Sequence, residues 1–329
     1  MQLIHEDCLE ALRSLPAESV DLVLTDPPYN INIAKWDKIE NYTAWCLEWL
    51  KECERCLKPN GVLYFWHNNM PAIAELMDGM RKETGLVFQS FCIWDKGDSY
   101  RAQSWRDRDP KSKTALRSWF NIAEYCLHYF KAPRKAGAAW ASTGLDRINS
   151  NPECYKPIKE WYAAEKERLA ITDKDIAAKY TEVTGRKPYM LHHYFQNSQF
   201  EIPTQAIWES VYMPLGFGKE YEALRVEYEA LRNTHNIDAH HCNIWHRPGM
   251  RAHEKTHICQ KPQDILRRLI RVSSNPGAVV LDCFMGSGST GVACILEGRD
   301  FIGIERDEKY FNAARQWIES EEAQTRMAL

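Results

Sequence analysis

None of the 329 residues belongs to an apolar run long enough to cross a bilayer, and no basic segment leads into an apolar core at the N-terminus. These absences argue against a membrane partner and a secretory leader, and a cytoplasmic protein is expected. Excess charge is missing as well: 42 Lys and Arg face 45 Asp and Glu, a net charge of -3. Such a chain does not attract nucleic acid through its overall field, so any DNA binding must rest on local basic patches. A disulfide framework is absent too. The 11 cysteines are odd in number and scattered, which fits reduced thiols. Internal repeats and low-complexity tracts are not found. What remains is ordinary for a globular chain, 44% hydrophobic and 26% charged, long enough for one large or two ordinary domains. Twelve tryptophans is a high count, and suits both packed cores and base-stacking surfaces.

Short apolar, β-branched runs recur at residues 3–4, 20–25, 61–66, 86–94, 123–130, 278–282 and 301–304, and read as strands. Helical spacing lies between them at 42–57, 70–84, 263–272 and 307–320, with a turn at 58–61. Alternating strands and helices predict a mostly parallel, doubly wound α/β sheet. The alternation stops near Pro133 and resumes near Ile244. Between them the chain is strand-poor, with helices predicted over 161–180 and 221–232. The expected organisation is a catalytic half at 1–134, a helical insertion at 135–243 and a cofactor-binding half at 244–329.

Two stretches carry chemistry. Asp26-Pro27-Pro28-Tyr29 follows the second strand, and its prolines cannot continue a ladder. The chain must leave the sheet edge as a stiff turn that presents a carboxylate, a carbonyl on Pro27 and an aromatic ring. Those groups suit a planar ligand bearing an NH2. Near the other end, Asp282-Cys283-Phe284-Met285-Gly286-Ser287-Gly288-Ser289-Thr290-Gly291 follows a strand, with Glu305 at the end of the next. Gly286, Gly288 and Gly291 fit G-x-G-x-x-G, so a nicotinamide-dependent oxidoreductase competes. Asp282 stands where it would repel a pyrophosphate. A ligand with a cationic centre, a carboxylate and a ribose fits better: the cation beside Asp282, the carboxylate at the amides of Gly286 to Ser289, the ribose at Glu305. S-adenosyl-L-methionine has that pattern.

Together the tetrapeptide and the glycine loop resemble the amino-methyltransferases that modify adenine N6 or cytosine N4 in DNA. Their order along the chain, tetrapeptide first, is similar to the β class, a circular permutation of the usual arrangement. His5-Glu6-Asp7-Cys8-Leu9 resembles the family's acidic N-terminal motif, with Glu6 in place of a glycine. Gln260-Lys261-Pro262 and the 119–131 stretch with Glu124-Tyr125 resemble two further elements. The resemblance implies a Rossmann-like, circularly permuted methyltransferase sheet of seven strands, the last antiparallel, with a helical target-recognition insertion. It implies a catalytic set of Asp26, Pro27, Pro28 and Tyr29. Asp26 and the Pro27 carbonyl would hold the amine, and Tyr29 would stack on a base flipped from double-stranded DNA. The implied cofactor set is Asp7, Cys8, Asp26, Lys261, Asp282, Phe284, Gly286, Ser287, Gly288, Ser289, Thr290 and Glu305. Within it Asp7 takes the adenine amino group, and Lys261 lies near the carboxylate of S-adenosyl-L-methionine. Adenine is favoured over cytosine by the Asp form of the tetrapeptide.

Residues 171–180, a Gly-containing turn at 183–186 and a predicted helix over 188–198 resemble a phage-type helix-turn-helix, with a third helix at 203–211. Lys187, Tyr189, His192, His193 and Gln196 on it are candidate DNA contacts. A second basic patch comprises Arg101, Arg106, Arg108, Lys111 and Lys113, with Trp105 among them. The pair Cys53 and Cys56 lies in an apolar helix with no partner pair nearby, and the His and Cys cluster from His235 to Cys259 fits no standard zinc pattern, so no metal is expected. A catalytically inactive DNA-binding regulator is the non-enzymatic alternative. The sequence leaves oligomeric state open, a homodimer included.

Overall fold

Alternate side chains of the central strands leave for opposite faces, and both faces are apolar. In β2 (Val20–Thr25), Leu22 and Leu24 pack on one side and Val23 on the other. In β3 (Leu57–His67), Val62, Tyr64 and Trp66 alternate with Leu63 and Phe65 in the same way. Strands buried on both faces need helices on both faces. One side carries α1 (Cys8–Ser14), α2 (Tyr42–Cys56) and α3 (Met70–Glu83). The computed structural model describes residues 1–32, 35–97, 123–131, 155–192, 194–195, 201–231, 242–247 and 260–328. By contact it divides into one unit of residues 1–132 with 234–329 and a second of residues 133–233.

The other strands of the first unit are β1 (Gln2–Ile4), β4 (Leu86–Asp95), β5 (Ala123–Lys131), β6 (Ile244–His246), β7 (Val279–Asp282) and β8 (Asp300–Ile304). The sheet order is β1-β8-β7-β2-β3-β5-β4-β6. Numbered from the glycine-loop strand β7, the first seven read 3-2-1-4-5-7-6, a doubly wound sheet whose chain begins at its third strand. The expected seven strands are joined by an eighth, β6, parallel to β4 at the edge. Three residues are too few to show alternation in sequence. Trp94 Nε1 donates to the Arg247 carbonyl at 2.7 Å and helps hold it. The turn predicted at 58–61 is a bulge inside β3: Val20 pairs with Leu57, and Leu22 already with Val62.

Strand β5 runs antiparallel to both β3 and β4. Its first residues, Ala123 and Glu124, therefore stand at the edge where its parallel neighbours end. In the second unit, the helical stretch predicted over 161–180 is two helices, Lys156–Leu169 (α4) and Asp173–Thr184 (α5), the second starting where the capping residues at 171–173 predict a start. Ala170, at φ 52°, closes α4, and a capping box of Thr172 with Asp175 opens α5. Cap chemistry overrides the apolar periodicity there.

The recognition helix predicted over 188–198 is not formed in the described residues. Tyr189–His192 is one 3-10 turn, Tyr194 bridges Glu201, and Phe195 sits at φ 58°. Phe195, in the left-handed region, turns back to stack on Tyr162 at 4.1 Å. The third helix is irregular, running through Gln205–Ile207, a wide turn at Trp208–Tyr212 and a tight one at Met213–Leu215. Tyr162, Trp208, Tyr212 and Phe217 form the core of this unit, beside Leu224 of α6 (Tyr221–Leu231). Ala170→Gly should relieve the left-handed backbone and raise the unit's stability by about 1 kcal/mol. A lower urea midpoint in that variant would contradict the helix break.

Candidate active site

Parallel pairing of β2 with β7 sets Leu22 beside Val280 and Val23 beside Leu281. The two strands end together, so Asp26 and Asp282 meet although most of the chain separates them. Thr25 Oγ1 donates to Asp282 Oδ1 at 2.8 Å, and the Phe284 amide donates to the same oxygen at 3.1 Å. Among the described residues Asp282's donors are all neutral, and burial lifts its carboxyl to about 6 against hydrogen bonds from Thr290, Thr25 and the Phe284 amide. A buried carboxylate held only by neutral donors is a place where a cationic ligand gains most.

Asp26 has a different environment. Its carboxylate pairs with the ammonium of Lys261, which is 5% exposed and lies just before α7 (Gln263–Ser273). Tyr29 Oη donates to Asp26 Oδ1 at 2.6 Å, and Lys261 Nζ donates to Tyr29 Oη at 3.2 Å. On its far side Lys261 lies 3.2 Å from Glu124 Oε2, and Lys96 pairs with the other Glu124 oxygen. Burial would raise the Glu124 carboxyl, but Lys261 and Lys96 outweigh it and hold it at about 2. Burial raises the Asp26 carboxyl above its ordinary value; Lys261 pulls it back only in part, and Glu124 pushes it up. The result is an alternating chain of charge, Asp26, Lys261, Glu124, Lys96. Glu124 and Lys96 were not among the sequence candidates. Only the backward course of β5 puts Glu124 at this edge.

The turn after Thr25 is tied down from below. Asp37, fully buried, accepts from the amides of Asn30 at 2.7 Å and Ile31 at 2.9 Å. Tyr29 stacks on buried His67, ring centres 4.9 Å apart, and Tyr42 Oη donates to the Pro28 carbonyl at 2.8 Å. Burial holds the His67 imidazole down at about 4. Pro27 lines the adjoining cavity.

That cavity, of about 610 Å3, is where the sequence candidates converge. It is lined by Asp26, Pro27, Pro28, Tyr29, Asp7, Cys8, Lys261, Asp282, Phe284, Gly286, Ser287, Ser289, Thr290 and Glu305. Asp7 caps α1 by accepting from the Leu9 amide at 3.0 Å, with Arg306 3.6 Å from its second oxygen. Cys8 is buried, and burial keeps its thiol protonated. Glu305 Oε2 accepts from the Gly286 amide at 3.0 Å, and Oε1 accepts from the Asp307 amide at 2.7 Å. Burial raises the Glu305 carboxyl, partly offset by those two amides.

Two expectations change. Gly288 does not line the cavity: at φ 81° it caps α8 (Ser289–Leu296), and a Cβ there would lie 3.0 Å from Ala314 and Ile318 of α9 (Glu308–Ala328). It is a glycine of packing. Lys261 lines the cavity, but its ammonium is engaged by Asp26 and Glu124. Trp36, Lys38, Trp45 and Arg306 also line it and were missed, because single residues without a motif give no signal in sequence; Glu6, read only as a departure from its motif, lines it too.

Among the candidate DNA contacts, Lys187 is exposed and Tyr189 is 68% exposed. His192 belongs to the 3-10 turn. Arg101, Arg106, Arg108, Lys111, Lys113, His193 and Gln196 lie outside the described residues, as does most of the 235–259 cluster. No group of metal-ligating side chains is found among the described residues, and no described helix is long and apolar enough to cross a membrane.

A family model described as DNA methylase, of the N6/N4 type, matches residues 20–316. The type II methyltransferase M.HpaI of Haemophilus parainfluenzae is 25% identical over 325 residues, covering 97% of this chain and 74% of its own length. M1.MboII of Moraxella bovis is 25% identical over 323 residues and covers 94% of each. Among solved structures, a DNA modification methylase from Thermus thermophilus complexed with S-adenosyl-L-methionine has a TM-score of 0.51 at 21% identity, covering 97% of this chain and 93% of its own. The cytosine-N4-specific PvuII DNA methyltransferase has a TM-score of 0.53 at 14% identity, covering 98% and 91%. At those identities the structures speak for the fold.

The raised carboxyl of Asp282 has a consequence for stability. Its folded-state value of about 6 exceeds the ordinary 3.8. The folded protein therefore binds this proton more tightly than the unfolded chain. The cost is absent at low pH, grows as pH rises through 3.8, and is complete above about 6. Asp282→Asn should then gain stability over wild type on the order of 1–3 kcal/mol at neutral pH, and little near pH ~3.5. Denaturation midpoints that differ equally at both pH values would contradict this environment for Asp282.

Proposed function

The chain belongs to the N6/N4 family of DNA methylases, and from that premise we propose that it transfers a methyl group from S-adenosyl-L-methionine to the N6 amino group of an adenine flipped out of double-stranded DNA. The observation that carries this reading is the pairing of two unlike carboxylates in one cavity. Asp26 is matched by a buried cation, and Asp282 is surrounded by neutral donors.

The donor set fits the cofactor. Asp282 would face its positive groups, Glu305 the ribose, Asp7 the adenine edge, and the backbone around Gly286 to Ser289 the carboxylate. A dinucleotide pyrophosphate would instead meet Asp282 as a like charge, which disfavours the nicotinamide alternative. Bound there, S-adenosyl-L-methionine supplies an electrophilic methyl group on a sulfonium.

The remaining work falls to the protein. An exocyclic amine is a weak nucleophile because its lone pair is delocalised into the ring. Asp26 and the Pro27 carbonyl would accept its two N–H groups and localise that pair, in an orientation fixed before reaction. A carboxylate has about four acceptor positions, so the bonds from Tyr29 and Lys261 leave Asp26 room for the amine. Lys261 keeps Asp26 ionised and thus an acceptor; we assign it to Asp26 and away from the cofactor's carboxylate. The Tyr29 ring would bear on the base. Flipping the base costs a few kcal/mol, offset by contacts elsewhere on the DNA. The unit at 133–233 is the proposed target-recognition element, with Lys187 and Tyr189 on its exposed surface. Adenine is preferred over cytosine on the Asp form of the tetrapeptide.

Sequencing of modified bases in DNA from cells expressing the chain should find N6-methyladenine in one sequence context. N4-methylcytosine in its place would overturn the choice of base. Asp26→Ala should slow transfer by at least ~100-fold while calorimetry finds cofactor affinity within ~3-fold of wild type. Near wild-type transfer by that variant would remove Asp26 from the mechanism.

A further inference from the structure

We infer that His67 is a positioning residue for methyl transfer, which grips Pro28 and Tyr29 of the tetrapeptide so that the acceptors left for the amine are Asp26 and the Pro27 carbonyl. The inference rests on the methylase reading of the tetrapeptide.

His67 ends β3 and has no solvent exposure. Its Nδ1 lies 3.0 Å from the Asn69 amide, which can only donate. Nδ1 is therefore the acceptor and the ring proton sits on Nε2. Nε2 lies 2.7 Å from Tyr42 Oη, so His67 donates to the tyrosine. Tyr42 has one proton, and it goes to the Pro28 carbonyl at 2.8 Å. Each donor and acceptor role in this chain is fixed by the one before it, from a backbone amide to a backbone carbonyl. An imidazolium would set an N–H against the Asn69 N–H, so only the neutral ring fits.

The same ring also lies against Tyr29, with centroids 4.9 Å apart and planes inclined by 24°. One buried side chain thus holds two consecutive residues of the turn, Tyr29 by its ring and Pro28 through Tyr42. With the Pro28 carbonyl occupied, the neighbouring carbonyl, that of Pro27, is the one left to serve an amine in the cavity that Pro27 lines. Neither His67 nor Tyr42 lines that cavity. The hydrogen bonds of this chain run from the Asn69 amide through His67 and Tyr42 to the tetrapeptide, and none of them reaches a cofactor residue.

The test compares Tyr42→Phe, His67→Phe, His67→Gln and the double variant Tyr42→Phe/His67→Phe. Single-turnover transfer is counted as total methyl groups delivered to DNA, so the identity of the base does not enter. Tyr42→Phe and His67→Phe should each slow transfer ~10–100-fold with cofactor Kd and KM within ~3-fold of wild type. The double variant should be no slower than His67→Phe, because both cut one chain. His67→Gln, which can still donate to Tyr42, should recover part of the loss. Wild-type rates in both single variants, or losses that multiply in the double, would overturn the inference. For the wild type itself, 15N spectra of labelled histidine should show His67 neutral with its proton on Nε2 at neutral pH. A proton on Nδ1 would overturn the inference even if a variant failed to fold or no DNA substrate were methylated.

Discussion

The structure of the site depends on β2 lying directly beside β7. That pairing joins a strand from the start of the chain to one near its end, and it has no local support. It forms because both strands are apolar on both faces and can be buried only inside a sheet covered by helices on each side. Once formed, it fixes Thr25 against Asp282 and places the tetrapeptide and the glycine loop on one edge. The cavity, the pairing of carboxylates and the proposed chemistry all follow from that register.

Burial at this edge creates an electrostatic problem. Asp26, Asp282 and Glu124 are taken out of water close together. The protein answers with Lys261, which serves Asp26 and Glu124 at once, and with Lys96 on the far side of Glu124. Among the described residues Asp282 receives no such cation and is held by hydroxyls and an amide. The unequal treatment divides the labour. A carboxylate already neutralised can accept from a neutral amine, while one still lacking a counter-charge suits a cationic ligand. Its cost in stability is of the kind that functional sites carry.

Much of this was legible in the sequence where local rules and global fold agree. The strand ending in Asp-Pro-Pro-Tyr and the strand ending in Asp before the glycines each announce a turn at a sheet edge, and both were read with nearly correct bounds. Glu124 was read only as part of a family-like strand and Lys96 not at all, because their place beside Asp26 comes from an antiparallel strand inserted between parallel ones. His67 was invisible because an isolated histidine at the end of an apolar strand carries no spacing signal. The helix-turn-helix failed for the opposite reason. Residues 188–198 have helical residue types, yet the demand of the aromatic core for Phe195 turns the backbone at that residue into the left-handed region. Gly288 matched a ligand-binding pattern, but close packing against Ala314 explains it.

Lys261 could serve either Asp26 or the cofactor, and replacing it by methionine separates the two. If its ammonium keeps Asp26 an anionic acceptor, Lys261→Met should lose at least ~100-fold in single-turnover methyl transfer at saturating cofactor, with cofactor affinity within ~3-fold of wild type. Weakened cofactor binding together with an undiminished rate at saturation would place Lys261 on the cofactor, and would contradict the division of roles between Asp26 and Asp282.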